Sequence, residues 1–175
     1  RGGGRAAERH FVEGGLWAGA AAGRVKNNQG VEGDTADGAH VDRVVMGGLA
    51  RHPGYRAGAM PLHAASPLYA RYLSGMAYGD HLDDPVMGAD GIKYRSDIAV
   101  TIFLSEPQEY DGGERAIVAP AVHQEGTLPS GDAIMYRAGL IQHVQPVTEA
   151  TRAVETTCVP GLVRETRHGE DAERP

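Results

Sequence analysis

The sequence has a single cysteine, Cys158, in 175 residues. An internal disulfide is therefore excluded, and a domain of this length needs none, since it buries about 70% of its unfolded surface on folding. No apolar run approaches the roughly 20 residues of a membrane-spanning helix. No Lys/Arg cluster offsets the acidic balance, 17 Lys and Arg against 23 Asp and Glu for a net charge of -6, which argues against a nucleic acid or an anionic membrane surface as partner. No charged-apolar-small signal pattern precedes the fold, so a reducing cytoplasm is the expected compartment. With 41% hydrophobic residues, what remains is the composition of one globular domain.

Residues 1–24 are rich in Gly and Ala and predict loop or frayed helix. Val25-Lys26-Asn27-Asn28-Gln29, taken alone, predicts a solvated turn. Over residues 37–51 the apolar positions Val41, Val44, Val45 and Leu49 recur at helical spacing, with Asp37 as cap and Pro53-Gly54 as stop, predicting an amphipathic helix. Ser66 to Tyr72 suits a helix opened by Ser-Pro or a strand favoured by its tyrosines. Beyond it the chain turns β: residues 97–104 put Ile98, Val100, Ile102 and Leu104 on one face and Ala99, Thr101 and Phe103 on the other, a strand buried on both sides. Further strands are expected over 114–119, 133–136, 144–147 and 152–159. Turn signals every 8 to 15 residues between short strands indicate a β-sandwich or barrel. Residues 164–175 carry mixed charge and predict a disordered tail.

The chemistry concentrates in Tyr78-Gly79-Asp80-His81-Leu82-Asp83. Side chains at i and i+2 of an extended strand point the same way, so His81 and Asp83 can grip one metal ion, leaving a facial triad one imidazole short. His40-Val41-Asp42 repeats the pattern inside the expected helix, where i and i+2 diverge. On the last strand Arg152, Val154, Thr156 and Cys158 share a face. Arg152 is then either a snorkelling residue of an edge strand or a guanidinium aimed inward at a carboxylate.

In this order the motifs resemble those of the PKHD-type hydroxylases, prolyl/lysyl-hydroxylase-like Fe(II) and 2-oxoglutarate-dependent dioxygenases. The carriers are the Val25 to Gln29 run, Arg71-Tyr72, the His81 motif, Arg95-Ser96-Asp97 with Thr101 to Pro107, Tyr110-Asp111-Gly112-Gly113-Glu114, Gly131-Asp132, and Pro146-Val147-Thr148 before Arg152. The resemblance implies a mainly β, double-stranded β-helix (jelly-roll) barrel over residues 25–163 with a flanking N-terminal helix, and makes the Tyr72 stretch a strand. It implies His81 and Asp83 as iron ligands, Arg152 on the far carboxylate of 2-oxoglutarate, and Tyr72 as a hydroxyl partner of that cosubstrate. The implied reaction is hydroxylation of a C-H bond in a small-molecule or peptidyl substrate, with 2-oxoglutarate converted to succinate and CO2 and L-ascorbate as reductant.

The third ligand departs from the family pattern, His-x-Val-x-Pro-Val-Thr with its arginine ten residues after the histidine. A gapless match places Gln142 at that position, and His143 stands nine residues before Arg152. His143, swung inward by a local bulge, is the expected third ligand, and Gln142, a weak neutral amide, is the alternative. His10, His52, His63, His123 and His168 are expected to be exposed or structural, and Cys158 a small core residue. Two other classes stay open: a jelly-roll binding module with an impaired iron site, and a cupin-like metalloenzyme that does not use 2-oxoglutarate.

Overall fold

The computed structural model describes residues 11–18, 20–31, 36–62, 67–88, 93–119 and 122–161. The expected tail at 164–175 and the stretch before Phe11 lie outside them. In chain order, β1 (Phe11–Glu13), a 3-10 turn, α1 (Ala20–Gly23), β2 (Lys26–Asn27) and β3 (Gln29–Val31) lead into the helices α2 (Ala36–Arg51) and α3 (Pro53–Ala59). Then come β4 (Leu68–Leu73), β5 (Ala77–His81), β6 (Val86–Met87), β7 (Tyr94–Arg95), β8 (Ile98–Phe103) and β9 (Tyr110–Gly112). The chain finishes with β10 (Arg115–Ala119), β11 (Val122–Gly126), β12 (Ala133–Arg137), β13 (Ile141–Val144) and β14 (Val147–Val159).

Two sheets face each other. The major sheet runs β1-β3-β4-β14-β8-β12, with β9 on the first residues of β14, and the minor sheet runs β11-β10-β13-β5-β2. This is the jelly-roll that the resemblance implies, and it falls within the sandwich-or-barrel class indicated by the strand spacing; it is built as a sandwich, since among the described residues no ladder closes the two sheets into one barrel.

The period-2 reading of β8 explains its layers. Val100 and Ile102 pack outward with Val159 against Tyr55 and Ala59 of α3, while Val45 and Leu49 of α2 cover the same patch. Phe103 and Ala99 point inward. Phe103 packs with Tyr72, Val144, Val147 and Val154, and Ala99 with Ile117, Tyr136, Ala138 and Cys158. Each large apolar side chain removed from water in this way contributes about 1.5–3 kcal/mol, so the helices are held by β8 and β14 rather than by their own propensity. Val44, expected on the apolar stripe of α2, is 59% exposed.

Several sequence expectations change in the fold. Part of the N-terminal segment expected to be loop or frayed helix supplies β1, paired with β3. The polar run at Val25 to Gln29 is no solvated turn, because Lys26 pairs with Tyr78 in the minor sheet while Gln29 pairs with Arg71 in the major one. Pro53 ends α2 and also opens α3 as its first residue, where its missing N-H costs nothing. The strand expected over 144–147 is divided between sheets: β13 ends at Val144 and β14 begins at Val147, with Pro146, which has no N-H to give a ladder, at the crossing.

Candidate functional site

The site lies in the space between the sheets, where a cavity of about 260 Å³ is lined by Lys26, Asn28, Tyr72, Tyr78, His81, Asp83, Arg115 and Cys158 among others. His81 is the last residue of β5, and Asp83 lies in the loop just beyond it. Asp83 nevertheless comes back to the same side, with its Oδ1 4.0 Å from His81 Nε2. His81 Nδ1-H donates to the Gly79 carbonyl at 2.7 Å, which fixes the tautomer and leaves the Nε2 lone pair directed into the site. Burial holds the imidazole neutral, with its pKa down to about 4. Burial pushes the Asp83 carboxyl up, while Arg115, Gln142 and Lys26 pull it back down.

A bulge on β5 shapes this corner. Gln142 pairs with His81 and Val144 with Tyr78, so three residue steps on β5 span two on β13. The extra residue brings Tyr78 and His81 to one face, where their rings stack at 3.4 Å and 7°. Because β13 itself has no extra residue, its alternation is intact: Gln142 is fully buried between the sheets and His143 points the other way. His143 Nδ1 lies 2.8 Å from Asp80 Oδ1 and its Nε2 3.3 Å from Gln145 Nε2. The structure places His143, the expected third ligand, away from the other two. It brings His81, Asp83 and Gln142 together and leaves His143 on the outer face, because the bulge invoked to turn His143 inward lies on the partner strand.

Arg152 sits on β14 between β4 and β8, opposite Tyr72. It is fully buried, so the edge-strand alternative fails. Its guanidinium carbon lies 5.3 Å from the Tyr72 ring centre and 5.4 Å from that of Phe103. None of its three nitrogens makes a hydrogen bond of good geometry, and burial is the main influence depressing its pKa, with Tyr110 and Tyr72 close enough to ease the cost. A buried cation without a partner is expensive and demands an anion.

Arg115 is a residue of the site that the sequence reading missed. It is 7% exposed on β10 and donates to both Gln142 Oε1 and Tyr136 Oη. Its own Nε and the Gln142 Nε2 are buried without a partner of good geometry, although the amide is near enough to Asp83 to favour the carboxylate. The signal was available in the alternation, because Arg115 and the inward-facing Ile117 share a face of β10.

An inter-sheet pocket in a jelly roll, with an imidazole and a carboxylate at one end and a buried arginine on the facing sheet, is the architecture of the 2-oxoglutarate-Fe(II) oxygenase class. No protein-family model matches the chain. It is 41% identical over 157 residues to a PKHD-type hydroxylase of Maricaulis maris, covering 88% of this chain and 68% of that protein. A second PKHD-type hydroxylase, from Thioalkalivibrio sulfidiphilus, is 40% identical over 146 residues, 83% of this chain and 65% of its own length. The chain belongs to the PKHD-type hydroxylase family, and it spans about two thirds of the length of these relatives. Among solved structures, a Pseudomonas putida prolyl-4-hydroxylase matches with TM-score 0.57 at 19% identity, over 79% of this chain and 74% of that one. A Trichoplax adhaerens prolyl hydroxylase, solved with a hypoxia-inducible-factor peptide fragment, matches with TM-score 0.58 at 16% identity over 94% and 74%. Both share the fold.

The residues present fit the family's two bound groups unequally. For 2-oxoglutarate the fit is good, since the orphaned Arg152 guanidinium is the partner that a carboxylate requires. For the metal, His81 and Asp83 fit and the third position does not: it holds a neutral amide already engaged by Arg115. Among the described residues no group of three His, Cys, Asp or Glu side chains gathers around one point.

Proposed function

We propose that this chain is a 2-oxoglutarate-dependent oxygenase that hydroxylates a C-H bond, with His81 and Asp83 as its two strong metal ligands and Arg152 as the seat of the far carboxylate. Iron and 2-oxoglutarate, when bound, would activate dioxygen, which is the oxidant: one oxygen atom would go to 2-oxoglutarate, giving succinate and CO2, and the other to the substrate C-H bond, with ascorbate keeping the metal ferrous. The chain's own part is placement. Arg152 fixes one end of the cosubstrate, and Tyr72, paired across the strand, offers its hydroxyl beside it. The Gly79 carbonyl holds His81 in the tautomer that can ligate, and the stacked Tyr78 keeps that ring from turning. Phe103, Val144 and Val154 pack with Tyr72 in a buried cluster that keeps water from the Arg152 side of the site. A small molecule or a peptidyl residue enters over Lys26 and Asn28, and the reducing cytoplasm suits a ferrous metal.

The observation that carries this reading is the orphaned guanidinium of Arg152 in the same inter-sheet space as the His81-Asp83 pair. The test is succinate release from 2-oxoglutarate with Fe(II) and ascorbate present. Turnover that disappears in Asp83→Ala and Arg152→Met supports the reading; no turnover, together with no Fe(II) binding, overturns it.

The engagement of Gln142 by Arg115 favours a second reading, a jelly-roll module that binds a dicarboxylate and has lost firm hold of iron. It predicts 2-oxoglutarate binding without succinate formation. A cupin-like enzyme that ignores 2-oxoglutarate has no comparable support, because it leaves Arg152 without an anion.

A further inference from the structure

Two buried guanidiniums stand in the space between the sheets: Arg115 lines the cavity itself, and Arg152 lies behind the cavity-lining Tyr72, 5.3 Å from its ring centre. Arg152 projects from the major sheet and Arg115 from the minor sheet, and each depresses the other's room for a second cation. All three nitrogens of Arg152 and the Nε of Arg115 lack hydrogen-bond partners. The proximity is close enough that Arg115, after burial, contributes to lowering the Arg152 pKa. Asp83 is the carboxylate of the site on which Arg115 acts most, and Asp84 and Lys26 line the same cavity with opposite charges.

The position that should complete a metal site has been rebuilt around the nearer of these cations. Gln142 is neutral, and its oxygen, the only atom of the amide able to ligate, accepts from Arg115. Arg115 also acts on Asp83 as a fixed positive charge, the role a divalent ion would otherwise have there. A metal entering this corner must displace the Gln142 oxygen from its donor and sit beside a like charge that cannot be titrated away.

We propose that Arg115 takes the metal's share of the cosubstrate: the pocket binds a dicarboxylate of the 2-oxoglutarate class with no metal ion present, one carboxylate on Arg152 and the other on Arg115. This rests on Arg152 receiving a carboxylate, which both functional readings share. The dicarboxylate then precedes any metal, which joins weakly at His81 and Asp83.

The experiment is calorimetric titration of the full chain with 2-oxoglutarate, once in excess EDTA and once with Mn²⁺ in place of EDTA, and with Mn²⁺ alone. The expected result is binding in EDTA, with an affinity that added Mn²⁺ changes little. Arg115→Met and Arg152→Met should each weaken it by about ten- to a hundredfold, the size of one lost charge-assisted hydrogen bond, and Arg115→Lys should recover part of the loss. Mn²⁺ alone should bind weakly to the wild type and more tightly to the Arg115→Leu/Gln142→His double variant. Binding that needs Mn²⁺ and is unaffected or improved by Arg115→Met overturns the proposal while leaving the Arg152 seat standing. Absence of binding under both conditions overturns the proposal and the Arg152 seat together. The wild-type titrations decide between these outcomes even if a variant fails to fold.

Discussion

Arg152→Met should make the ligand-free protein more stable. The guanidinium is fully buried with no hydrogen bond of good geometry on any nitrogen, and an uncompensated buried charge costs several kcal/mol even after relaxation. Two aromatic faces at 5.3 and 5.4 Å return about 0.5–2 kcal/mol each. The balance is a net cost on the order of 2 kcal/mol. Methionine fills similar space, is flexible enough to follow the Tyr72 and Phe103 rings, and needs no anion. For a chain of this size a gain of about 2 kcal/mol raises the melting temperature by about 4–8 °C. The assay is urea and thermal denaturation of both proteins with and without 2-oxoglutarate. At one hundred times its Kd the ligand adds about 2.7 kcal/mol to the wild type but, with binding about ten- to hundredfold weaker, only about 0.4–1.4 kcal/mol to the variant, so the variant's lead should largely close. A Met variant less stable than the wild type without ligand would show that Arg152 has a structural partner and is no vacant anion seat.

Three other outcomes follow from the geometry. His143→Ala should leave Mn²⁺ and 2-oxoglutarate affinities within about twofold, since its ring faces Asp80 and Gln145 on the outer side of β13; a loss of either affinity by calorimetry would restore it to the site. Ala150 holds φ of 60° at an exposed position where β14 meets β9, a conformation that costs an L-residue about 1–2 kcal/mol, so Ala150→Gly should stabilise by about 0.5–1 kcal/mol in urea melts after glycine's own entropy cost. Gly113 has φ of 70°, and an added Cβ would lie 2.8 Å from both Arg152 Cδ and Val147 Cγ2. Gly113→Ala should therefore destabilise by about 1–3 kcal/mol and weaken 2-oxoglutarate binding as well, read by melting and by titration.

The parts of the fold that could be read from the sequence are those governed by local periodicity over several residues. In β8 the alternation of Ile98, Val100 and Ile102 against Ala99, Thr101 and Phe103 separates the helix-facing layer from the inter-sheet layer, and in β14 the same argument puts Arg152 on the face of Val154 and Cys158, leaving its inward or edge-strand setting to the pairing of β14 between β4 and β8. The helix carrying Val45 and Leu49 follows from its period as well. Short elements escape because two or three residues establish no period: β1, β2 and β3 are stable only through partners far away in sequence, Tyr78 for Lys26 and Arg71 for Gln29. Val144 to Val147 shows the opposite failure. A short stretch with a valine at each end reads as one strand, whereas its middle pair, Gln145-Pro146, carries the chain from one sheet to the other.

The site turns on a parity that no single strand can report. Gln142 and His143 are adjacent, so a shift of one residue exchanges them between the pocket and the outer surface. A bulge near an active site is a reasonable expectation, but which strand carries it decides the outcome. An extra residue on β13 would have turned His143 inward. The extra residue is on β5, where it aligns Tyr78 with His81 and leaves β13 alternating. Pairing then does the rest: Ile117 of β10 stands opposite Gln142, and Arg115 opposite Val144, both facing inward. An arginine two residues from a core isoleucine on a buried strand is therefore brought to the very amide that occupies the third ligand position. The two departures, a glutamine that cannot ligate firmly and an arginine that cannot lose its charge, meet in one hydrogen bond and have to be interpreted as a pair. Restoring the histidine alone would leave the cation beside it, so metal affinity should recover fully only when Arg115 is removed together with Gln142.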